Sequence, residues 1–256
     1  MVKKVSKQKK RISRTSTVSK QKKVSNNGFN LSRLNLFLIL GVAILLSYNQ
    51  FTVKDISTAI RGDNKFASLN LDEGTLAKIT STAQSIQVVF AEELDEVAAG
   101  GDVVSIMIPT GTPEYADVFE NKISFDDPVN SLDYLAGEAY PKLKAYVQQN
   151  EPEVWERYIN LGTKPVGISC EFCCGIGPVG ITKDGAMRCG CKHNPAVQAI
   201  TLGLMSYTEY SDAQILKEVM KWKTIFYPKN MIDLSLKVAG GDPNTLKDLP
   251  GMVGGC

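Results

Sequence analysis

The chain has 256 residues, 43% of them hydrophobic, enough for one fair-sized folded domain plus additional segments. Its net charge of +2 hides a split, because residues 1–33 carry eleven Lys and Arg and no Asp or Glu, leaving 18 basic and 27 acidic residues, net −9, downstream. With a single histidine there is no hydrolase triad to assemble, and Gly175-Ile-Gly177 is too short a match for a phosphate-binding glycine loop.

Residues 1–33 are polar and basic and have too little apolar surface for a core, so they are expected to be a disordered tail. No aromatic residue is interleaved with the charges of residues 1–27. Base stacking has no platform there, and nucleic acid is not the expected partner. Residues 34–53 carry no charge and centre on the apolar run Leu36 to Leu46. With the basic excess before it and no small-x-small cleavage site after it, this stretch reads as an uncleaved signal anchor in the lipid bilayer. A cleaved signal peptide and a buried core helix are the competing readings. The anchor reading puts the N-terminus in the cytoplasm and the C-terminal domain outside the cell.

Residues 54–100 read as a juxtamembrane linker and an amphipathic stalk helix, in which Leu76, Ile79, Ala83, Ile86, Phe90, Leu94 and Val97 recur at spacings of three and four. Such a stripe packs on its own domain or forms a homodimeric coiled coil. Residues 101–256 form the external domain. Within it Val103 to Ile108 is expected as a buried strand, and helices are expected over 128–136, 141–149 and 151–161. Beyond the cysteines, Asn194 and Pro195 read as the N-cap and first position of a helix to Ser206. Ser211 to Gln214 reads as a capping box opening the next helix, whose apolar stripe is Ile215, Val219, Trp222 and Phe226.

The stretch Cys170 to His193 holds five of the six cysteines and the histidine. Cys170-Glu-Phe-Cys173-Cys174-Gly175 is a knuckle in which Gly175 can take the positive φ that turns N–H groups toward a thiolate. Lys183-Asp184-Gly185 signals a tight turn between two short strand-like runs, folding Cys189-Gly-Cys191-Lys-His193 back onto the knuckle. Along the second run Met187, Cys189, Cys191 and His193 alternate and share one face. The spacing C-x2-C-x15-C-x-C is one residue short of a zinc ribbon. The expected ligands are Cys170, Cys173, Cys189 and Cys191, with His193 and Cys174 as substitutes or supporting groups. Cys256, on a Gly-Gly tether, either closes the site or pairs with Cys174. Zinc is the default ion and copper(I) the competitor that soft sulfur ligands favour.

Two other readings use the same residues. Cys170 and Cys173 have the spacing of a thiol–disulfide oxidoreductase pair, and in an oxidising compartment all the cysteines could staple an interaction domain. Cys173 and Cys174, being adjacent, would then bond to different partners.

The block from Cys170-Glu-Phe-Cys-Cys-Gly through Cys-Gly-Cys-Lys-His-Asn-Pro-Ala to Trp222-Lys-Thr-Ile-Phe-Tyr-Pro228 resembles uncharacterised membrane-anchored archaeal proteins with the same cysteine-rich pattern. The resemblance covers roughly residues 105–230 and implies that the cysteines and His193 act as one unit; it implies no activity. The expected fold is α+β but mainly helical, an N-terminal transmembrane helix followed by an external domain. In that domain a zinc-ribbon-like cysteine hairpin is packed by a helical hairpin within the module 168–228.

Overall fold

The structure, a computed structural model, describes residues 73–255. The expected basic tail, the expected span at 34–53 and Cys256 lie outside the described residues. No helix among the described residues is long and apolar enough to cross a membrane.

The first helices are α1 (Glu73–Leu76), α2 (Thr82–Val89), α3 (Ala91–Ala98) and α4 (Val103–Met107). A 3-10 turn at Ala116–Phe119 leads to α5 (Pro128–Tyr134), a π-helical turn (Leu135–Ala139) and α6 (Tyr140–Asn150). The chain continues through α7 (Pro152–Gly162), the cysteine loop, α8 (His193–Tyr207), α9 (Asp212–Phe226), α10 (Pro228–Ala239) and a closing 3-10 turn at Pro243–Lys247. Side-chain caps set several starts: Ser81 accepts from Gln84 N–H, Asp102 from Ser105 N–H, and Ser211 with Gln214 completes the expected capping box. The π turn sits where Pro141, one residue into α6, has no N–H to offer Gly137. Wider helical spacing gives the proline ring room there.

Helix α8 is the axis of the fold. From His193 to Met205 every residue except Pro195 is buried, and the helix packs against α5, α6, α7, α9 and the π turn. A helix apolar on all sides is stable only with neighbours all round it. Helix α9 lies against α8, α2 and α10, and buries Trp222 and Phe226 completely.

Three expectations are corrected. The α+β class is overturned: the described residues contain no strand, only the isolated bridges Ile168 to Val179, Glu171 to Gly177 and Ile181 to Met187. The zinc-ribbon-like hairpin is therefore an irregular loop, although its turn forms as expected, with Thr182 N–H donating to Ala186 O at 2.9 Å. The physical reason is that the segment is held from outside rather than by a continuous ladder. Gly180 O, which takes Arg188 N–H across the turn at 3.0 Å, also accepts from Asn194 Nδ2 (2.9 Å), and Ile168 O accepts from Gln198 Nε2 (2.8 Å), Gly167 O from Lys223 Nζ (2.8 Å) and Val166 O from Ser85 Oγ (2.6 Å).

The second correction is Val103 to Ile108, which is helix α4 rather than a strand. Asp102 caps it, and Val103 and Met107, one turn apart, are its buried face. Third, the stalk is broken into α1, α2 and α3, with Phe90 ending α2 and opening α3. Of its stripe Leu76, Ile79, Ile86, Phe90, Leu94 and Val97 are buried within this chain's own core.

Gly180 shows how closely α8 holds the loop. A Cβ there would collide with Ile168 O and lie 2.5 Å from Gln198 Nε2 and 2.7 Å from Asn194 Oδ1. Gly180→Ala is expected to lower unfolding free energy by about 2 kcal/mol or more, from overpacking and the hydrogen bonds it displaces. Urea denaturation measures this; an unchanged midpoint would mean that the loop is not held there.

Candidate metal centre

The sulfur atoms of Cys170, Cys174, Cys189 and Cys191 all lie within 4.8 Å of one another. Two arms bring them together. Cys170 follows the bridge at Ile168, and its carbonyl accepts from Phe172 N–H at 2.5 Å, closing a tight turn centred on Glu171 at φ 46°. A non-glycine residue in that region costs about 1–2 kcal/mol. Gly175 follows at φ 66°, the left-handed geometry expected of it, and turns the chain so that Cys174 reaches the second arm. Along that second arm burial alternates as expected. Met187 is half-buried and Cys189, Cys191 and His193 are buried, while Arg188, Gly190 and Lys192 are exposed.

Cys174 takes the position in this cluster for which spacing had pointed to Cys173. Cys173 stands beside it, with its sulfur 3.7 Å from that of Cys174. Cys174 and Cys189 are drawn together as a disulfide across Cα atoms 6.6 Å apart, and Cys170 and Cys191 carry free thiols. Cys170, Cys189 and Cys191 are buried; Cys174 is exposed, so the cluster opens to solvent on one side only. Cys256 is outside the described residues.

The two free thiols share a hydrogen bond that divides them electrostatically. It pulls Cys191 down to about 4, against the opposing effect of burial, with help from His193 and from the backbone N–H groups of His193 and Asn194. Those N–H groups are the open first turn of α8, a natural seat for a thiolate. The same hydrogen bond, together with burial, pushes Cys170 well above the ordinary thiol range.

His193 is fully buried and joins the site from the side rather than as one of the four-atom group. Its Nε2 lies 2.7 Å from Val253 O, so that nitrogen donates. Nδ1 has no hydrogen-bond partner. Asn194 does not cap α8. Its carboxamide reaches Gly180 O and, at 3.1 Å, Met187 Sδ, tying the second arm down.

Residue patterns had not singled out a buried cation beneath the knuckle. Lys223 has no exposed surface, and its Nζ meets Glu171 Oε2 at 2.9 Å and Gly167 O at 2.8 Å, with Thr82 Oγ1 donating to the same Glu171 oxygen. Burial lowers the lysine's pKa, and the charges of Glu171 and Cys170 oppose that shift. The ion pair holds Glu171 in its strained turn and puts positive charge beside the cluster. Position 223 lies one turn beyond Val219, on the apolar stripe of α9, and a lysine in that register was the available signal. Tyr227, at the end of α9, is buried between His193 (ring centroids 4.9 Å apart) and Phe172 (5.4 Å). Burial raises its pKa, as do the charges of Cys170 and Cys191.

The donor set fits one soft or borderline ion. A tetrahedral zinc site with bonds of about 2.3 Å separates its sulfurs by about 3.8 Å, inside the span of this group once Cys174 and Cys189 are reduced. Comparison of the chain with known protein families, curated proteins and solved structures finds no match.

In the metal-free chain with Cys174 and Cys189 disulfide-bonded, far-ultraviolet thiolate absorbance is expected at neutral pH, falling as pH drops through about 4, where Cys191 takes up its proton. Cys191→Ser removes this transition and Cys173→Ser leaves it in place. A titration confined to the ordinary thiol range near ~8.5 would contradict the assignment.

Proposed function

We propose that the chain is a membrane-anchored, extracytoplasmic metal-binding protein that holds zinc, or alternatively copper(I), in a thiolate site made of Cys170, Cys174, Cys189 and Cys191. The observation that carries this reading is the convergence of four sulfurs from two loop arms within 4.8 Å. Anchoring rests on the uncharged stretch 34–53 behind eleven basic residues. Zinc in this set would act as a structural crosslink between the two arms. Copper(I) would be cargo, for which the exposed Cys174 offers a route of transfer. The buried Lys223 favours either ion, because its charge offsets part of the negative charge that four thiolates accumulate.

The Cys174–Cys189 pair supports a second reading, thiol–disulfide exchange. The attacking thiolate of another protein would bond to the exposed Cys174 sulfur, and Cys189 would leave as a thiolate. Cys170, fully buried, is poorly placed to be the attacking member of a Cys170/Cys173 pair.

The deciding experiment is elemental analysis of the full chain, purified under reducing conditions without added metal, with thiols counted before and after chelation. About one zinc per chain, with four thiols freed by the chelator, is the expected result, since thiolate ligands are protected while metal is bound. Copper in its place assigns metal handling. No metal, with a disulfide that opens readily in mild reductant, replaces the reading with redox exchange; a disulfide that resists reductant replaces it with a stapled interaction domain.

A further inference from the structure

The hydroxyl of Tyr227 is buried and has no hydrogen-bond partner. Leaving such a group unpaired costs about 1–3 kcal/mol, so its position needs a reason. The ring is 1% exposed and is fixed on both faces of the problem: His193, two residues after Cys191, lies against it at 4.9 Å, and Phe172, two residues after Cys170, meets it edge-on at 5.4 Å. The backbone is equally constrained, because Tyr227 closes α9 and Pro228 opens α10 immediately after it. The phenol is thus wedged between the two arms that carry the buried free thiols, and both thiols act on it electrostatically. A phenol is a hydrogen-bond donor, and thiolate sulfur accepts such bonds.

We propose that Tyr227 is a positioning residue of the metal centre, its Oη–H donating to the thiolate sulfur of Cys170 or Cys191 when metal is bound. This rests on the thiolate-site reading above. In the metal-free protein the hydroxyl has no hydrogen-bond partner. Metal loading gathers the ligand sulfurs as thiolates around one ion, and those sulfurs are acceptors of the kind the phenol lacks. The bond would draw electron density from the sulfur and fix the orientation of the arm that carries it, the part that outer-shell partners play around metal ligands generally.

Tyr227→Phe in the full chain tests this, since it removes one oxygen and keeps the ring packing. Zinc affinity is measured by competition with a chromophoric chelator, the sulfur-to-metal charge-transfer band is recorded with cobalt(II) in the site, and urea stability is measured without metal. Affinity is expected to fall by about 10-fold or more. The charge-transfer band should move to lower energy, and metal-free stability should stay unchanged or rise as an unpaired buried hydroxyl is removed. Unchanged affinity and spectrum in the variant, with zinc bound normally by the unmodified chain, would overturn the proposal. So would a parallel loss of metal-free stability, the mark of a purely structural role. If the unmodified chain takes up neither zinc nor cobalt, the thiolate-site reading itself fails and this proposal falls with it, an outcome recognisable before the variant is compared.

Discussion

Two carboxamides one helical turn apart, Asn194 and Gln198, hold the cysteine loop to the central helix, and the geometry of the site depends on that grip. They donate to Gly180 O and Ile168 O, carbonyls on opposite runs of the loop, so that both arms are fixed by one rigid element. The helix can serve as that element because it is enclosed on all sides. An exposed helix with the same two side chains would satisfy them with water. Buried, they must find protein acceptors, and the irregular loop supplies them.

Around this attachment the remaining contacts divide the work. From α9, Lys223 reaches under the knuckle to Gly167 O and Glu171 and stabilises the left-handed turn that follows Cys170. Helix α2 contributes Ser85 to Val166 O and Thr82 to Glu171, tying the segment before the domain's centre to the approach to the first arm. From the C-terminal end Val253 O accepts a hydrogen bond from His193 Nε2, and Val253 N–H donates to Phe226 O at 2.9 Å. The cysteine loop has little secondary structure of its own, so its shape is imposed by helix side chains from several directions. Such a scaffold suits a metal centre, whose ligands must be held before the ion arrives.

Electrostatically the site is poised rather than neutral. One thiol sits at the opened first turn of a long helix and ionises readily; the other is buried behind it and does not. A cation entering the cluster would meet one thiolate already formed and would displace protons from the others. Lys223, buried and paired with Glu171, limits the accumulated negative charge without offering a ligand atom.

The sequence by itself determined the local features whose causes are local. The capping box at Ser211, the helices over 128–134, 140–150 and 152–162, the turn at Asp184-Gly185 and the left-handed Gly175 follow from side chains and backbone preferences within a few residues. It also indicated that Cys170, Cys189 and Cys191 gather in one group, because their spacing and the alternating burial of 187 to 193 are properties of a short segment. Tertiary structure decided the rest. Val103 to Met107 carries a strand-like composition but is helical because Asp102 caps it and one of its faces packs. The path of the cysteine loop is fixed by distant side chains that bond to carbonyls along it and just before it. Cys174 rather than Cys173 joins the other sulfurs, and the turn at Glu171 that precedes both is held by Lys223, fifty-two positions along the chain. No spacing rule contains that contact. The partners of Tyr227, His193 and Lys223 were likewise set when separate helices packed together, since a buried polar group takes its meaning from neighbours that the linear order does not name.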